Sequence, residues 1–186
     1  MQQDRTDIVL HMPVIEDYAS KSSFVLELGC DTGNGSTRAI ARGLLRSSAD
    51  DKLHIGVDLN NIALVPDLGD NMIEPWWHYV VGDTRDERTL EKVKAIAGDR
   101  KADLIFIDTD HTYDCMKAEL SLWENLAKDT TIWLFHDTWM LGAYNHMTDA
   151  IIQFSESNPQ WKYVDLSREN NGLGALFPKS TVENRL

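Results

Sequence analysis

Short apolar runs alternate along the chain with longer segments whose apolar residues recur every three or four positions. Phe24–Leu28, Leu53–Val57, His78–Val81, Asp103–Ile107 and Thr131–Phe135 read as strands, and their near-continuous hydrophobicity suits a sheet covered on both faces. Between them lie helical patterns. From Ser36 to about Ser47, Ile40, Ala41, Leu44 and Leu45 fill one face, and Arg38, Arg42 and Arg46 form a solvated stripe on the other. Asp86–Ala97 turns Leu90, Val93 and Ile96 inward and stops at Gly98. Tyr113 to about Lys128 sets Met116, Leu120 and Trp123 on one side. Met147, Ala150, Ile151 and Phe154 mark a further helix that ends before Pro159. The pattern then changes, because Trp161–Leu166 and Leu173–Phe177 are strands joined by a polar turn containing Asn171-Gly172, a hairpin signal. Strand–helix units followed by a hairpin predict an α/β fold, a doubly wound, mostly parallel seven-stranded sheet with an antiparallel C-terminal hairpin strand.

A length of 186 residues suits one domain over 1–186, with a core of about 23–178, a helical lead-in over 1–22 and a tail over 179–186. The formal net charge of −12 argues against nucleic acid or an anionic membrane as the main partner, since both demand basic surface. No apolar run is long enough to span a bilayer, and Met1–Arg5 does not open a secretory signal, so a cytoplasmic location is expected. Two cysteines, Cys30 and Cys115, are too few for a disulfide scaffold or a four-cysteine zinc site.

The chemistry gathers at the strand ends, which carry Glu27 and Gly29, Asp58, Asp83, Asp108, and His136 with Asp137. Ligands of open parallel sheets bind beyond those ends. Acids collected there repel one another unless hydroxyls, an ammonium group or a metal cation offset them. The loop from Glu27 to Thr37 holds Gly29, Gly33 and Gly35 but departs from the dinucleotide fingerprint, with Asp31 where that pattern has glycine. An anionic diphosphate would meet carboxylates there, so a ligand bearing a cation is favoured. Asp58 stands where an acid accepts the hydroxyls of a ribose, or else N-caps a helix with Asn60 or Asn61. Asp83-Thr84 suits the exocyclic amine of an adenine, or else a helix cap.

Taken together, Glu27-x-Gly29-x-x-x-Gly33, Gly56-Val57-Asp58, Gly82-Asp83-Thr84 and Asp103–Asp108 resemble the successive motifs of class I S-adenosylmethionine-dependent methyltransferases, which are Rossmann-like. Ile107–Tyr113 and Phe135–Thr138 are most similar to the small-molecule O-methyltransferases grouped with macrocin O-methyltransferase and the cephalosporin hydroxylase-like proteins. The resemblance implies that Glu27, Gly29, Cys30, Asp31, Gly33 and Ser36 hold the methionine end of S-adenosylmethionine. It also implies Asp58 and Leu59 on the ribose and Gly82, Asp83 and Thr84 at the adenine, with Asp108 bordering the cofactor. Asp31 departs from the family's commoner glycine.

The same resemblance implies a divalent cation, Mg²⁺ or Mn²⁺, held by Asp108 and by the adjacent His136 and Asp137. Histidine at 136 would favour softer ions than pure oxygen ligation does, or else point away and leave two protein ligands. His111, three residues past Asp108, is expected to be a neutral imidazole that takes the proton of an acceptor hydroxyl, or else to cap the following helix. Asp108 and His111 are thus the expected catalytic pair. The expected reaction is O-methylation of a small molecule, with the acceptor pocket open or completed in a homo-oligomer. Three rivals remain: a glycosyltransferase using Asp108-x-Asp110, a non-catalytic nucleoside-binding module, and a hydroxylase. Tyr144 and His146 are rim candidates for the acceptor.

Overall fold

The computed structural model describes residues 8–60, 75–140 and 146–183. Its strands are β1 (Phe24–Leu28), β2 (Leu53–Asp58), β3 (Trp77–Val81), β4 (Leu104–Ile107), β5 (Ile132–His136), β6 (Trp161–Ser167) and β7 (Leu173–Pro178). They form a seven-stranded sheet in the order β3-β2-β1-β4-β5-β7-β6. Neighbours from β3 to β5 are parallel, and β7 runs antiparallel to both β5 and β6. This is the doubly wound sheet the sequence predicts. Its strand order reverses between β1 and β4, which puts the switch-point crevice beside Gly29 and Asp108.

The helices are α1 (Met12–Ala19), α2 (Ser36–Arg46), α3 (Glu87–Ala97), α4 (Tyr113–Trp123), α5 (Met147–Ser157) and the short α6 (Lys179–Glu183). Alternation along the strands divides the core in two. Phe24, Leu26 and Leu28 pack with Leu90, Val93, Leu120, Trp123 and Ile151 on the face of α3, α4 and α5. Val25, Leu104, Phe106 and Leu134 pack with Ile15, Ala19, Ile40 and Leu44 on the face of α1 and α2. Gly43 lets those two helices touch, since a Cβ there would lie 2.5 Å from both the Ala19 Cβ and the Glu16 carbonyl oxygen.

Several elements differ from the sequence reading by a residue at an end, and α4 differs by more. Helix α4 ends at Trp123, where the chain tightens into a 3-10 turn over Glu124–Leu126 instead of running on to Lys128. The Trp123 indole donates to the Thr84 carbonyl (2.7 Å), which pins that end of the helix across the sheet. Strand β3 begins a residue early, at Trp77, whose ring packs on His54 and over Gly56. The lead-in is more than a spacer. A 3-10 turn at Ile8–Leu10 precedes α1, and Ile8 rests against Gly35 of the glycine loop. No helix among the described residues is long and apolar enough to cross a membrane.

Candidate active site and metal centre

The glycine loop is held from beneath by Glu27. This β1 residue is fully buried and accepts hydrogen bonds from the Ser36 hydroxyl (2.6 Å), the Thr37 hydroxyl (2.9 Å) and His54 Nε2 (2.9 Å). A carboxylate only accepts, so Nε2 of His54 carries the proton. The side chains of Glu27 and Ser36 are thus engaged with each other, anchoring the first turn of α2 to the sheet. Glu27 lines none of the described cavities and stands beneath the loop that does. Gly29 has φ +86°, and a Cβ there would fall 1.9 Å from the Asp108 carbonyl oxygen, so only glycine lets β1 and β4 end side by side.

Two cavities open on either side of that junction, and Gly29 and Asp108 line both. The smaller, about 230 Å³, is lined by Asp58, Leu59, Asp83, Thr84, Arg85, Thr109, Asp110 and Cys115. Asp58 Oδ2 accepts the Cys30 and Asp31 amides (2.9 and 3.0 Å), while Oδ1 accepts the amide and side chain of Asn60 (3.0 and 3.2 Å). The loop is therefore clamped to β2, and a diol at Asp58 has to displace the exposed Asn60 side chain. Asp83 is gripped by the Arg85 guanidinium (2.8 and 2.9 Å) and amide (2.9 Å), which hold its carboxyl below the usual range. Beneath them the buried Glu119 of α4 accepts from the hydroxyls of Thr84 and Thr109, joining the turns after β3 and β4, and burial raises its pKa. Cys115 is pushed up to about 12, chiefly by burial, and Cys30 is raised by burial and then by Glu27, so neither is a reactive thiolate.

The larger cavity, about 460 Å³, has the glycine loop and Arg38 on one side and Asp108, His136 and Asp137 on another. Ile8, Val9 and Met12 supply an apolar wall. Asp108 and Asp137 of that lining form a group with His111, which itself lines neither cavity, each bringing one ligand atom within 4.8 Å of the others. His111 Nε2 lies 2.9 Å from Asp137 Oδ2 and 3.7 Å from Asp108 Oδ1. His136 is the expected ligand that does not join this group. It is 2% exposed, its Nδ1 is 3.6 Å from Asp108 and 3.2 Å from Asp137, and its ring meets the edge of His11. Successive strand residues point to opposite faces, so His136 and Asp137 share one side only because Asp137 leaves the strand with φ +60°.

The electrostatics correct the expectation of a neutral His111. Hydrogen bonding to Asp108 and then Asp137 raises its pKa to about 9, against the opposing effect of burial. Burial also opposes charge on His136, yet the same two acids raise it to about 10. Both carboxylates titrate below their usual range despite burial, because the imidazoles stabilise their ionised forms. The two acids thus hold both imidazoles toward their protonated forms. Nε2 of His111 and both ring nitrogens of His136 are buried without a hydrogen bond of good geometry. Two carboxylates converging with an imidazole nitrogen so placed fit a divalent cation, whose binding displaces the proton.

A methyltransferase-domain family model matches residues 26–138, which span β1 to the turn after β5 and hence this whole crevice. The chain belongs to that family. Solved structures agree on the fold of this methyltransferase. The O-methyltransferase of Bacillus cereus, in complex with S-adenosylhomocysteine, superposes with a TM-score of 0.66 at 17% identity, covering 91% of this chain and 81% of that one. TomG of Streptomyces achromogenes, involved in tomaymycin synthesis and bound to S-adenosylmethionine, gives 0.65 at 13% identity, covering 94% and 84%. MycE, a mycinamycin-pathway methyltransferase with Mg and S-adenosylhomocysteine, gives 0.59 at 14%, covering 96% of this chain and 51% of its own. No curated protein matches the methyltransferase by sequence.

The crevice gathers Gly29, Cys30, Asp31, Ser36, Asp58, Leu59, Asp83, Thr84, Asp108 and Asp137 around its two cavities. Gly33 and Gly82 line neither. Gly33 takes the loop's tight turn at φ +75°, and Gly82 makes room for the Thr89 side chain. Asp110 is exposed, lines the smaller cavity with Asp108, and stands outside the three-residue cluster. Tyr144 lies outside the described residues, and His146 pairs with Asp149 (3.3 Å) at a different cavity. Sequence reasoning missed three participants. His54 was legible, since a polar residue inside a buried strand next to Glu27 needs a partner. Arg85 and Glu119 carried no local signal, because their roles arise from contacts between distant turns.

Proposed function

We propose that this methyltransferase moves the methyl group of S-adenosylmethionine to a hydroxyl oxygen of a small molecule, with a divalent cation at Asp108, Asp137 and His111. One observation carries the reading. The cavity lined by Asp58 and Asp83 and the cavity lined by Asp137 meet at Gly29 and Asp108, and Asp108 and Asp137 belong with His111 to the three-residue cluster. A nucleoside in the first therefore presents its reactive end to the second. Asp58 and Leu59 receive the ribose, and Thr84 and Asp83 border the base. The Gly29–Asp31 backbone lines the path of the sulfonium chain. Cation–carboxylate attraction favours a sulfonium over a diphosphate here.

Asp108 and Asp137 are the hard oxygen donors for Mg²⁺ or Mn²⁺, and His111 supplies the third side chain. A divalent ion there would lower the pKa of an acceptor hydroxyl. Asp108, Asp137 and His111 would hold that ion beside the cofactor cavity, and the hydroxyl proton passes to solvent water. The methyl–sulfur bond breaks as the methyl–oxygen bond forms, releasing S-adenosylhomocysteine. Alignment of the two reactants supplies much of the acceleration. The apolar wall of Ile8, Val9 and Met12 suits the carbon skeleton of an organic acceptor.

The test is thermal unfolding with S-adenosylhomocysteine and, separately, with Mn²⁺. A ligand at a hundredfold excess over its Kd adds about 2.7 kcal/mol of stability. The nucleoside shift should vanish in Asp58→Ala and persist in Asp108→Asn, and the metal shift should do the reverse. Absence of both shifts in the wild-type protein overturns the reading.

A further inference from the structure

Arg38, Arg42 and Arg46 form one stripe in sequence, but the fold treats them differently. Arg42 is exposed, and Arg46 pairs with Glu16 at 3.1 Å. Arg38 is half-buried and lines the larger cavity beside the glycine loop. Its Nε is buried without a hydrogen-bond partner, and among the described residues it forms no ion pair. In a chain of net charge −12, with acids at both ends of the crevice, an uncommitted guanidinium facing the ligand space is conspicuous. The hydroxyls of the preceding Ser36 and Thr37 turn inward to Glu27, which fixes the helix turn that carries Arg38. A guanidinium offers a planar fork of donors matched to two oxygens of one anion, and its own burial leaves those donors in want of acceptors.

We propose that Arg38 is a specificity-determining residue that binds a carboxylate of the ligand occupying the larger cavity. Two ligands can bring that group: S-adenosylmethionine itself, through its amino-acid end, or an acidic methyl acceptor. The identity of the cavity's occupant rests on the proposed function, whereas the anion preference of Arg38 does not.

The experiment is calorimetric titration of the wild-type protein, Arg38→Met and Arg38→Lys with S-adenosylhomocysteine and with 5′-methylthioadenosine, which lacks the amino-acid end. Circular dichroism confirms that each variant is folded. Loss of at least tenfold in S-adenosylhomocysteine affinity in Arg38→Met, with methylthioadenosine binding unchanged and Arg38→Lys largely rescued, assigns the carboxylate to the cofactor. If S-adenosylhomocysteine binds both proteins alike, acetate and inorganic phosphate are titrated into the S-adenosylhomocysteine complexes. Anion binding to the wild type that Arg38→Met lacks assigns the group to the acceptor. The proposal is overturned if Arg38→Met binds S-adenosylhomocysteine, acetate and phosphate as the wild type does, or if it loses methylthioadenosine equally. If the wild type binds neither nucleoside, the proposed function fails, and the anion titration on the free protein still decides the role of Arg38.

Discussion

At the residue scale, two aspartates sit in a backbone conformation that side chains seldom adopt. Asp31 has φ +43° in the glycine loop, and Asp137 has φ +60° after β5. Both face the larger cavity, where strain is expected to serve the site. At Asp137 the positive φ brings its carboxylate round to His111 and Asp108. At Asp31 it explains why related loops favour glycine, since only glycine takes that path without cost. Asp31→Ala is therefore expected to lower stability by about 1 kcal/mol, read as a lower denaturant midpoint with an unchanged slope. An unchanged midpoint contradicts the assignment of strain. The imidazoles teach a complementary lesson. His111 was identifiable as a candidate by its spacing from Asp108, which is also the main influence that raises its pKa, but the second influence, Asp137, is distant in sequence, and that coupling is invisible along the chain.

At the element scale, the mostly parallel sheet and the reversed final strand were readable, because five apolar strands each close on a polar turn and the hairpin announces itself at Asn171-Gly172. Less legible were the contacts that tie elements end to end. The lead-in is one: His11 Nε2 reaches the carbonyls of Glu169 and Asn170 (3.2 and 3.3 Å), strapping the start of α1 to the β6–β7 turn beside His136. Carbonyls accept, so that nitrogen carries the proton. Asp103 is another. It opens β4 at the sheet edge opposite the crevice and accepts from the Ser23 and Phe24 amides (2.7 and 3.0 Å), the Ser23 hydroxyl (2.8 Å) and Lys128. Burial opposes its charge, but Lys128 and these donors prevail and lower its pKa below 3.8. A carboxyl lowered on folding stabilises the fold above its unfolded value, and the contribution is lost as pH falls through the folded value. Asp103→Asn should thus cost about 1–2 kcal/mol at pH 7, with the gap to the wild type closing at acid pH. A gap that stays constant with pH contradicts a charge-based role. The sequence reading treated Asp103 as the first residue of a strand, since nothing local marks a carboxylate whose donors come from β1.

At the scale of the whole molecule, the sheet sorts its acids into two populations. Glu27, Asp103 and Glu119 are structural, each consumed by hydroxyls, amides or an imidazole from neighbouring elements. Asp58, Asp83, Asp108 and Asp137 stand at the crevice. Sequence alone reads Glu27 and Asp103 like the crevice acids, as acids of the strands and their ends, and only packing tells them apart. The crevice population accounts for the central claim, that the nucleoside cavity and the ion cluster share one wall. The most direct test is nuclear magnetic relaxation of S-adenosylhomocysteine bound to this methyltransferase as Mn²⁺ is added, compared with Asp108→Asn. Joined cavities predict strong paramagnetic broadening of the protons flanking the sulfur, weaker broadening of the adenine protons, and loss of both in the variant. Broadening that is absent, or greatest at the adenine, would contradict the account.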